Sequence, residues 1–214
     1  MFRIITIERE YGCGAARIAQ QLATQLGWRL WDGDLTSEIA RVANVDPAAV
    51  SKCDERRDSR FQRLVKVFWR GSYERSTNLD LEYSFDADRM VEIGEQVMCE
   101  IASRGQCVIV GRGAPYHLRQ RGDAFHVFLY APRAEKLRRL QTQGKSLREA
   151  EELVDTIDRD RIEFVKHYFG ADWPTRSLYH LMLNTCMGDA NVLATVMQAM
   201  RTLEESRNPP GCRP

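Results

Sequence analysis

The chain has 214 residues, 43% of them hydrophobic, and a formal net charge of +1. That length supports one large α/β core with room for small insertions, and a single domain over residues 1–205 is expected, with 206–214 as a disordered tail. The balanced charge gives no global case for nucleic acid or membrane, so any anion binding has to come from local clusters.

The first predicted element is a strand over 3–7, followed by the loop Glu8-Arg9-Glu10-Tyr11-Gly12-Cys13-Gly14 and a helix over 14–26 that carries Ile18, Ala19, Leu22, Ala23 and Leu26. A glycine turn feeding a helix N-terminus aims backbone N–H groups and the positive helix dipole at one spot, a geometry that suits phosphate. A phosphate loop of the G-x-x-x-x-G-K-[ST] kind also needs a Lys for the phosphates and a hydroxyl for Mg²⁺. Here those places read Ala15 and Arg17. A strand over 28–31 then ends in Asp32-Gly33-Asp34, two carboxylates able to meet a hydroxyl, a metal or a basic partner, or an acidic turn in which Asp34 caps the next helix. Helices are predicted over 35–44 and 47–53. Residues 54–84 form a helical basic insertion in which Arg56, Arg57, Arg60, Arg63, Lys66, Arg70 and Arg75 mix with Phe61, Val65, Phe68, Trp69 and Tyr73. An amphipathic helix with a solvated basic face and an anion clamp both fit that pattern.

A helix over 86–104 stops at Gly105, and a strand over 107–110 runs into Gly111-Arg112-Gly113, an Arg shaped for a bidentate grip on phosphate between two permissive residues. A strand over 125–130, helices over 133–143 and 146–168, a strand over 178–183 and a helix over 189–205 complete the order. Asp158-Arg159-Asp160-Arg161 lies on the long helix, preceded by Arg138, Arg139, Lys145 and Arg148 around the turn at Gly144; Asp158 and Arg161 share a face, and a surface ion pair and a charge clamp are both open. Continuous apolar strands spaced by helices indicate a three-layer, doubly wound, five-stranded parallel sheet with ligands at the carboxyl ends of its strands.

The six cysteines are scattered with no C-x-x-C pair, and no secretory segment is apparent, so a reducing cytoplasm is expected. Cys99 and Cys107 read as inert core residues. The four histidines, His117, His126, His167 and His180, form no zinc pattern, and no Ser sits in a G-x-S-x-G elbow. Gly12-x-Gly14 with Asp32 downstream partly fits a dinucleotide fingerprint, but its third glycine would be Arg17.

Four segments together resemble the cytidylate kinase-like family of the nucleoside monophosphate kinase fold, within the P-loop NTPases. They are Ile5 to Gly14 (ITIEREYGCG), Val108 to Ala114 (VIVGRGA), Asp158 to Trp173 (DRDRIEFVKHYFGADW) and Tyr179 to Thr185 (YHLMLNT). The resemblance spans about residues 3–190. It implies ATP as donor on the loop Gly12, Cys13, Gly14, Ala15, Ala16 and Arg17, with Mg²⁺ carried by the nucleotide and no separate protein metal site. It implies a pyrimidine monophosphate acceptor, CMP or dCMP, near Arg112, with Asp32, Asp34, Arg60 and Arg63 as further acceptor-side candidates. It also implies a lid over 144–165 contributing Arg159 and Arg161 to catalysis, and a donor base beside Asn184 and Thr185. Partners would be small nucleotides, with no nucleic acid and no membrane. The departures are the absent loop Lys and His180, which replaces an acidic residue of the family's pattern. They leave a catalytically weakened nucleotide sensor as the alternative function.

Overall fold

The computed structural model describes residues 1–42 and 87–207. The insertion 54–84, the helix expected over 47–53 and the tail from 208 lie outside the described residues. Five strands, β1 (Ile4–Arg9), β2 (Arg29–Trp31), β3 (Cys107–Val110), β4 (Ala124–Tyr130) and β5 (Leu181–Asn184), form one sheet in the order β2-β3-β1-β4-β5. Every pairing in it is parallel. Strands β1, β3 and β4 are buried along nearly their whole length because helices cover both faces.

Among the described residues seven helices surround the sheet: α1 (Ala15–Leu26), α2 (Gly33–Val42), α3 (Ala87–Arg104), α4 (Ala114–His117), α5 (Arg133–Thr142), α6 (Leu147–Phe169) and α7 (Asp189–Arg207). Alternating strand residues divide the core into two layers. Ile5, Ile7, Val108, Val110, Val127 and Leu129 meet the α1 stripe Ile18, Ala19 and Leu22 and the α7 residues Val192 and Val196. Ile4, Ile109 and Phe128 face the opposite layer, with Leu35 and Ile39 of α2, Val97, Met98 and Ile101 of α3, and Phe164 of α6. Burying each such aliphatic side chain contributes about 1.5–3 kcal/mol before chain entropy is counted.

Three expectations are corrected. The last strand begins at Leu181, because Arg176–Leu178 forms a 3-10 turn and Tyr179 packs into the core without joining the ladder. Helix α2 starts earlier than expected, at Gly33, and α4 was not foreseen. Cys99 is exposed, whereas Cys107 is buried as expected. Along α3 the neighbours Val97, Met98, Ile101 and Ala102 take the buried stripe, and the ~100° turn per residue carries Cys99 off it.

Candidate active site

The parallel order brings the strand ends together, so the loops after β1, β2, β3 and β5 border one region. After β1, Gly12 has φ 75° and Gly14 has φ 84°. Gly14 is the residue before α1 and makes no side-chain cap, leaving the helix's first-turn N–H groups directed at the loop. A Cβ on Gly12 would come within 3.2 Å of the Lys136 Cβ, and one on Gly14 within 3.0 Å of Arg139 Nη1. The loop therefore lies against α5, and both positive φ angles favour glycine, with a tight Cβ contact at Gly12 besides.

Side chains from distant elements pin that loop. Thr185 donates its hydroxyl to the Cys13 carbonyl at 2.7 Å, and Arg139 donates to the same carbonyl and to Thr185 Oγ1 at 2.8 Å. The Cys13 thiol is pushed up to about 12 by burial, so it stays uncharged at neutral pH. Asp158 on α6 accepts from the Tyr11 N–H at 2.8 Å, from Lys136 Nζ at 3.1 Å and from Arg161 Nη1 at 2.9 Å. Lys136 also donates to Glu10 at 3.1 Å. Burial pulls the Lys136 ammonium down, but Asp158 and Glu10 more than offset it and its pKa is raised. Arg161 reaches the Arg9 carbonyl at 2.8 Å, which ties α6 to the end of β1.

The acceptor-side candidates gather around Arg112. Gly111, Arg112 and Gly113 all lie in the left-handed region, at φ 70°, 55° and 70°. This turns the Arg112 side chain back over the sheet edge, where it is 5% exposed. Arg112 Nη1 stands 3.8 Å from Asp32 Oδ1 and donates to the Val110 carbonyl at 3.3 Å, while Nη2 donates to Thr36 Oγ1. Burial, opposed by Asp32 and reinforced by Arg9, lowers its pKa to about 10, which keeps the guanidinium charged at neutral pH. Its Nε is buried with no hydrogen-bond partner, a donor that a phosphate oxygen would satisfy. Among the described residues three arginines are buried, Arg9, Arg112 and Arg161, and all three stand at this end of the sheet.

The other predicted residues are placed as follows. Ala15 is buried, Ala16 partly buried, and the exposed Arg17 donates from Nη2 to Asp189 Oδ1 at 3.1 Å and also pairs through Nε. With β1 ending at Arg9 and α1 opening at Ala15, Ala16 rather than Arg17 occupies the hydroxyl position of the phosphate-loop pattern. Asp34 is exposed and 3.9 Å from Arg29, away from the buried Asp32. Arg159 is exposed, whereas Arg161, two residues on, is buried; the two do not converge. Asn184 accepts from the Cys186 N–H at 3.0 Å and shapes the turn after β5. His180 lies before β5, stacked on Phe125 at 4.9 Å, with its Nδ1 accepting from the His126 N–H at 3.0 Å. Arg60 and Arg63 lie outside the described residues. Sequence reasoning missed Arg9, Lys136 and Thr36, and it offered Arg139 only as one member of the basic cluster around Gly144.

The glycine cradle and the orphaned Arg112 Nε fit phosphoryl oxygens. Among the described residues no group of three or more His, Cys, Asp or Glu side chains could hold a metal, and no helix is long and apolar enough to cross a membrane. The chain belongs to the cytidylate kinase-like family, which matches residues 4–186. It is 27% identical over 126 residues to a cytidylate kinase of Methanosarcina mazei, covering 56% of this chain and 69% of that protein. Among solved structures, an uncharacterized protein from Eubacterium ventriosum superposes with a TM-score of 0.65 at 16% identity, covering 91% of this chain and 96% of that one. The shikimate kinase of Acinetobacter baumannii gives 0.52 at 19% identity, covering 94% of both chains. The fold is thus that of the P-loop kinases, and family and fold together support a nucleotide kinase, a class that uses ATP, typically with Mg²⁺.

Proposed function

We propose that this chain is a phosphotransferase that uses ATP to phosphorylate a pyrimidine nucleoside monophosphate, CMP or dCMP, in the cytoplasm. The observation that carries the reading is buried Arg112, with its unpartnered Nε beside Asp32, next to a glycine loop at a helix N-terminus. In this reading the backbone from Gly12 to Ala16 receives the donor phosphates, and Arg139 and Thr185 hold the loop in shape beneath them. Arg112 grips the acceptor phosphate through its planar fork, with Asp32 and Thr36 fixing the guanidinium's orientation. Arg60, Arg63 and Asp34 are assigned to the acceptor side on the sequence alone. Arg161 adds positive charge at the end of β1, and the exposed Arg159 joins it only if the segment 144–165 moves as a lid. Mg²⁺ bound with the nucleotide would neutralise phosphate charge. The donor base would rest by Asn184 and Thr185. Phosphoryl transfer is mostly positioning and charge stabilisation, the work such a site can do.

The test is a coupled assay with ATP and Mg²⁺ and each of CMP, dCMP, UMP and AMP, run beside Arg112→Ala and Arg112→Lys. Diphosphate formation fastest with CMP or dCMP, lost in the Ala variant and strongly reduced in the Lys variant, is the expected result. A second reading, a nucleotide sensor, is favoured by Ala15 at the lysine position and by the outward pairing of Arg17 with Asp189. ATP binding without product would establish that reading and overturn the first.

A further inference from the structure

The loop that should supply the reaction's main cation carries no lysine, and its Arg17 is paired outward with Asp189. In the pattern G-x-x-x-x-G-K-[ST] the lysine reaches the β- and γ-phosphates. With Gly14 as the second glycine, the lysine's place holds Ala15 and the first glycine's place holds Arg9. Arg9 is the last residue of β1 and is only 6% exposed. Its side chain crosses toward β3, where the guanidinium lies against Gly111 so closely that any Cβ there would collide with it. Its electrostatic neighbours are Arg161, Glu8, Asp32 and Cys13, and it acts in turn on Arg112. With the Arg9 carbonyl held by Arg161, the guanidinium therefore lies against the turn that carries Arg112, one residue on from Gly111. Its contact with Glu8, at 3.4 Å, is too long to engage the fork in a strong bidentate pair.

We propose that Arg9 replaces the loop lysine, its guanidinium contacting the phosphoryl group as it passes from donor to acceptor. This rests on the phosphotransferase reading above. In that step an oxygen of the acceptor's phosphate dianion bonds to the γ-phosphorus while the bond from that phosphorus to the β,γ-bridging oxygen breaks. The bonding pair stays on the departing diphosphate, and no proton has to move. A guanidinium suits the place because its planar donors match two oxygens at once, whereas an ammonium acts as a point charge. The glycine at 111 is then required for the site itself, since it is what lets Arg9 lie flat across the end of β3.

The decisive variants are Glu8→Gln/Arg9→Met, which removes the cation without stranding a buried carboxylate, and Arg9→Gly with and without Ala15→Lys. Each is measured for kcat and KM in the coupled assay, for ATP affinity by calorimetry without acceptor, and for melting temperature. The expected result is a fall in kcat of about 10²–10³ in the first variant, with ATP bound about tenfold more weakly. Ala15→Lys should restore at least about tenfold of the kcat lost in Arg9→Gly, a coupling expected of groups that share one role. Rates and ATP affinity within about threefold of the parent, or no recovery on adding the lysine to a folded Arg9→Gly protein, overturn the proposal. If the Met variant does not fold, Arg9→Lys decides: an unchanged kcat overturns the assignment, and a loss of about tenfold or more at an unchanged melting temperature supports it. If the parent turns over no acceptor, the phosphotransferase reading fails, and the ATP titrations alone then judge Arg9 by the same limits.

Discussion

Asp158 joins three separate parts of the molecule, and Asp158→Ala is expected to loosen all of them. The carboxylate accepts from the Tyr11 N–H at 2.8 Å, from Lys136 at 3.1 Å and from Arg161 at 2.9 Å, while its side chain is 16% exposed. Removing one partner from a buried ion pair costs about 3–5 kcal/mol because the remaining charge stays desolvated. Two residual contacts soften that loss, since Lys136 keeps Glu10 at 3.1 Å and Arg161 keeps the Arg9 carbonyl at 2.8 Å. The expected cost therefore sits at the lower end of the range, about 3 kcal/mol. For a chain of this size that lowers Tm by about 6–12 °C, at 2–4 °C per kcal/mol. Urea unfolding followed by both fluorescence and circular dichroism gives the free energy and checks that the two transitions coincide. Asp158→Asn, which keeps one acceptor oxygen, should lose less than the Ala variant. A loss below about 1 kcal/mol for Asp158→Ala would mean the carboxylate behaves as an ordinary surface partner, and the reasoning would be refuted.

Gly27 and Gly113 separate backbone strain from collision. Both have positive φ, 65° and 70°, but a Cβ at Gly27 meets nothing within 4 Å, whereas one at Gly113 comes 2.7 Å from the Phe169 ring. Gly27→Ala should cost about 1–2 kcal/mol, and Gly113→Ala distinctly more; equal losses in urea unfolding would contradict the crowding. His126 and His117 are each lowered to about 4, chiefly by burial. For His117, the Glu95 carboxylate 3.6 Å away works the other way, but at 57% exposure it is screened by water and burial prevails. The unfolded chain takes up these protons near pH 6.5 and the folded chain only near 4. Their stabilisation is therefore complete above about pH 6.5 and is lost as the pH falls toward 4. His126→Gln should flatten that slope in a stability series from pH 7 to 4, and an unchanged slope would rule out His126 as its source. Finally, brief alkylation followed by peptide mapping should label Cys99 and Cys186, which are exposed, and spare Cys13 and Cys107, whose thiols are buried and raised to about 12 and about 11. Early labelling of Cys13 in folded protein would contradict the packing of the loop.

The sheet was legible because Ile4 to Ile7, Cys107 to Val110 and Phe125 to Tyr130 are short, largely apolar runs spaced by helical patterns, which suit a parallel sheet covered on both faces. Leu178 and Tyr179 belong to an equally apolar run, yet they pack against the core from outside the ladder. Burial and strand pairing are separate properties, and hydrophobicity reports only the first. The candidate site was legible to the extent that function follows strand ends: the Gly12 loop, Asp32, Arg112 and Thr185 each fall directly after a strand. Arg9 and Lys136 were not, and Arg139 stood out only as one of a basic cluster before the long helix. A lone charged residue in a strand or on a helix reads as surface, and what draws these three inward, Arg139 only partly, is contact with residues far away in sequence. Arg9 meets Gly111 and Arg161, Lys136 meets Asp158, and Arg139 meets Cys13 and Thr185. No local spacing encodes such meetings.

The contrast with the phosphate-loop pattern has a physical consequence. A loop lysine brings its charge with the backbone that binds phosphate, so the two are positioned by one short segment. Here Ala15 brings none, and positive charge arrives from β1 through Arg9, from β3 through Arg112, from α5 through Lys136 and Arg139, and from α6 through Arg161. Arg9, Arg112, Lys136 and Arg161 are buried and Arg139 half-buried, and each has an acceptor nearby: Glu8 for Arg9, Asp32 for Arg112, Glu10 and Asp158 for Lys136, Glu135 for Arg139 and Asp158 for Arg161. Burying that many cations without partners would destabilise the fold severely. The acidic residues that interleave with them are therefore a condition of building a cationic site from tertiary contacts. They also explain why Asp158 touches loop and helix together. The charge at the site and the stability of α6 depend on the same carboxylate, so a change in one is a change in the other.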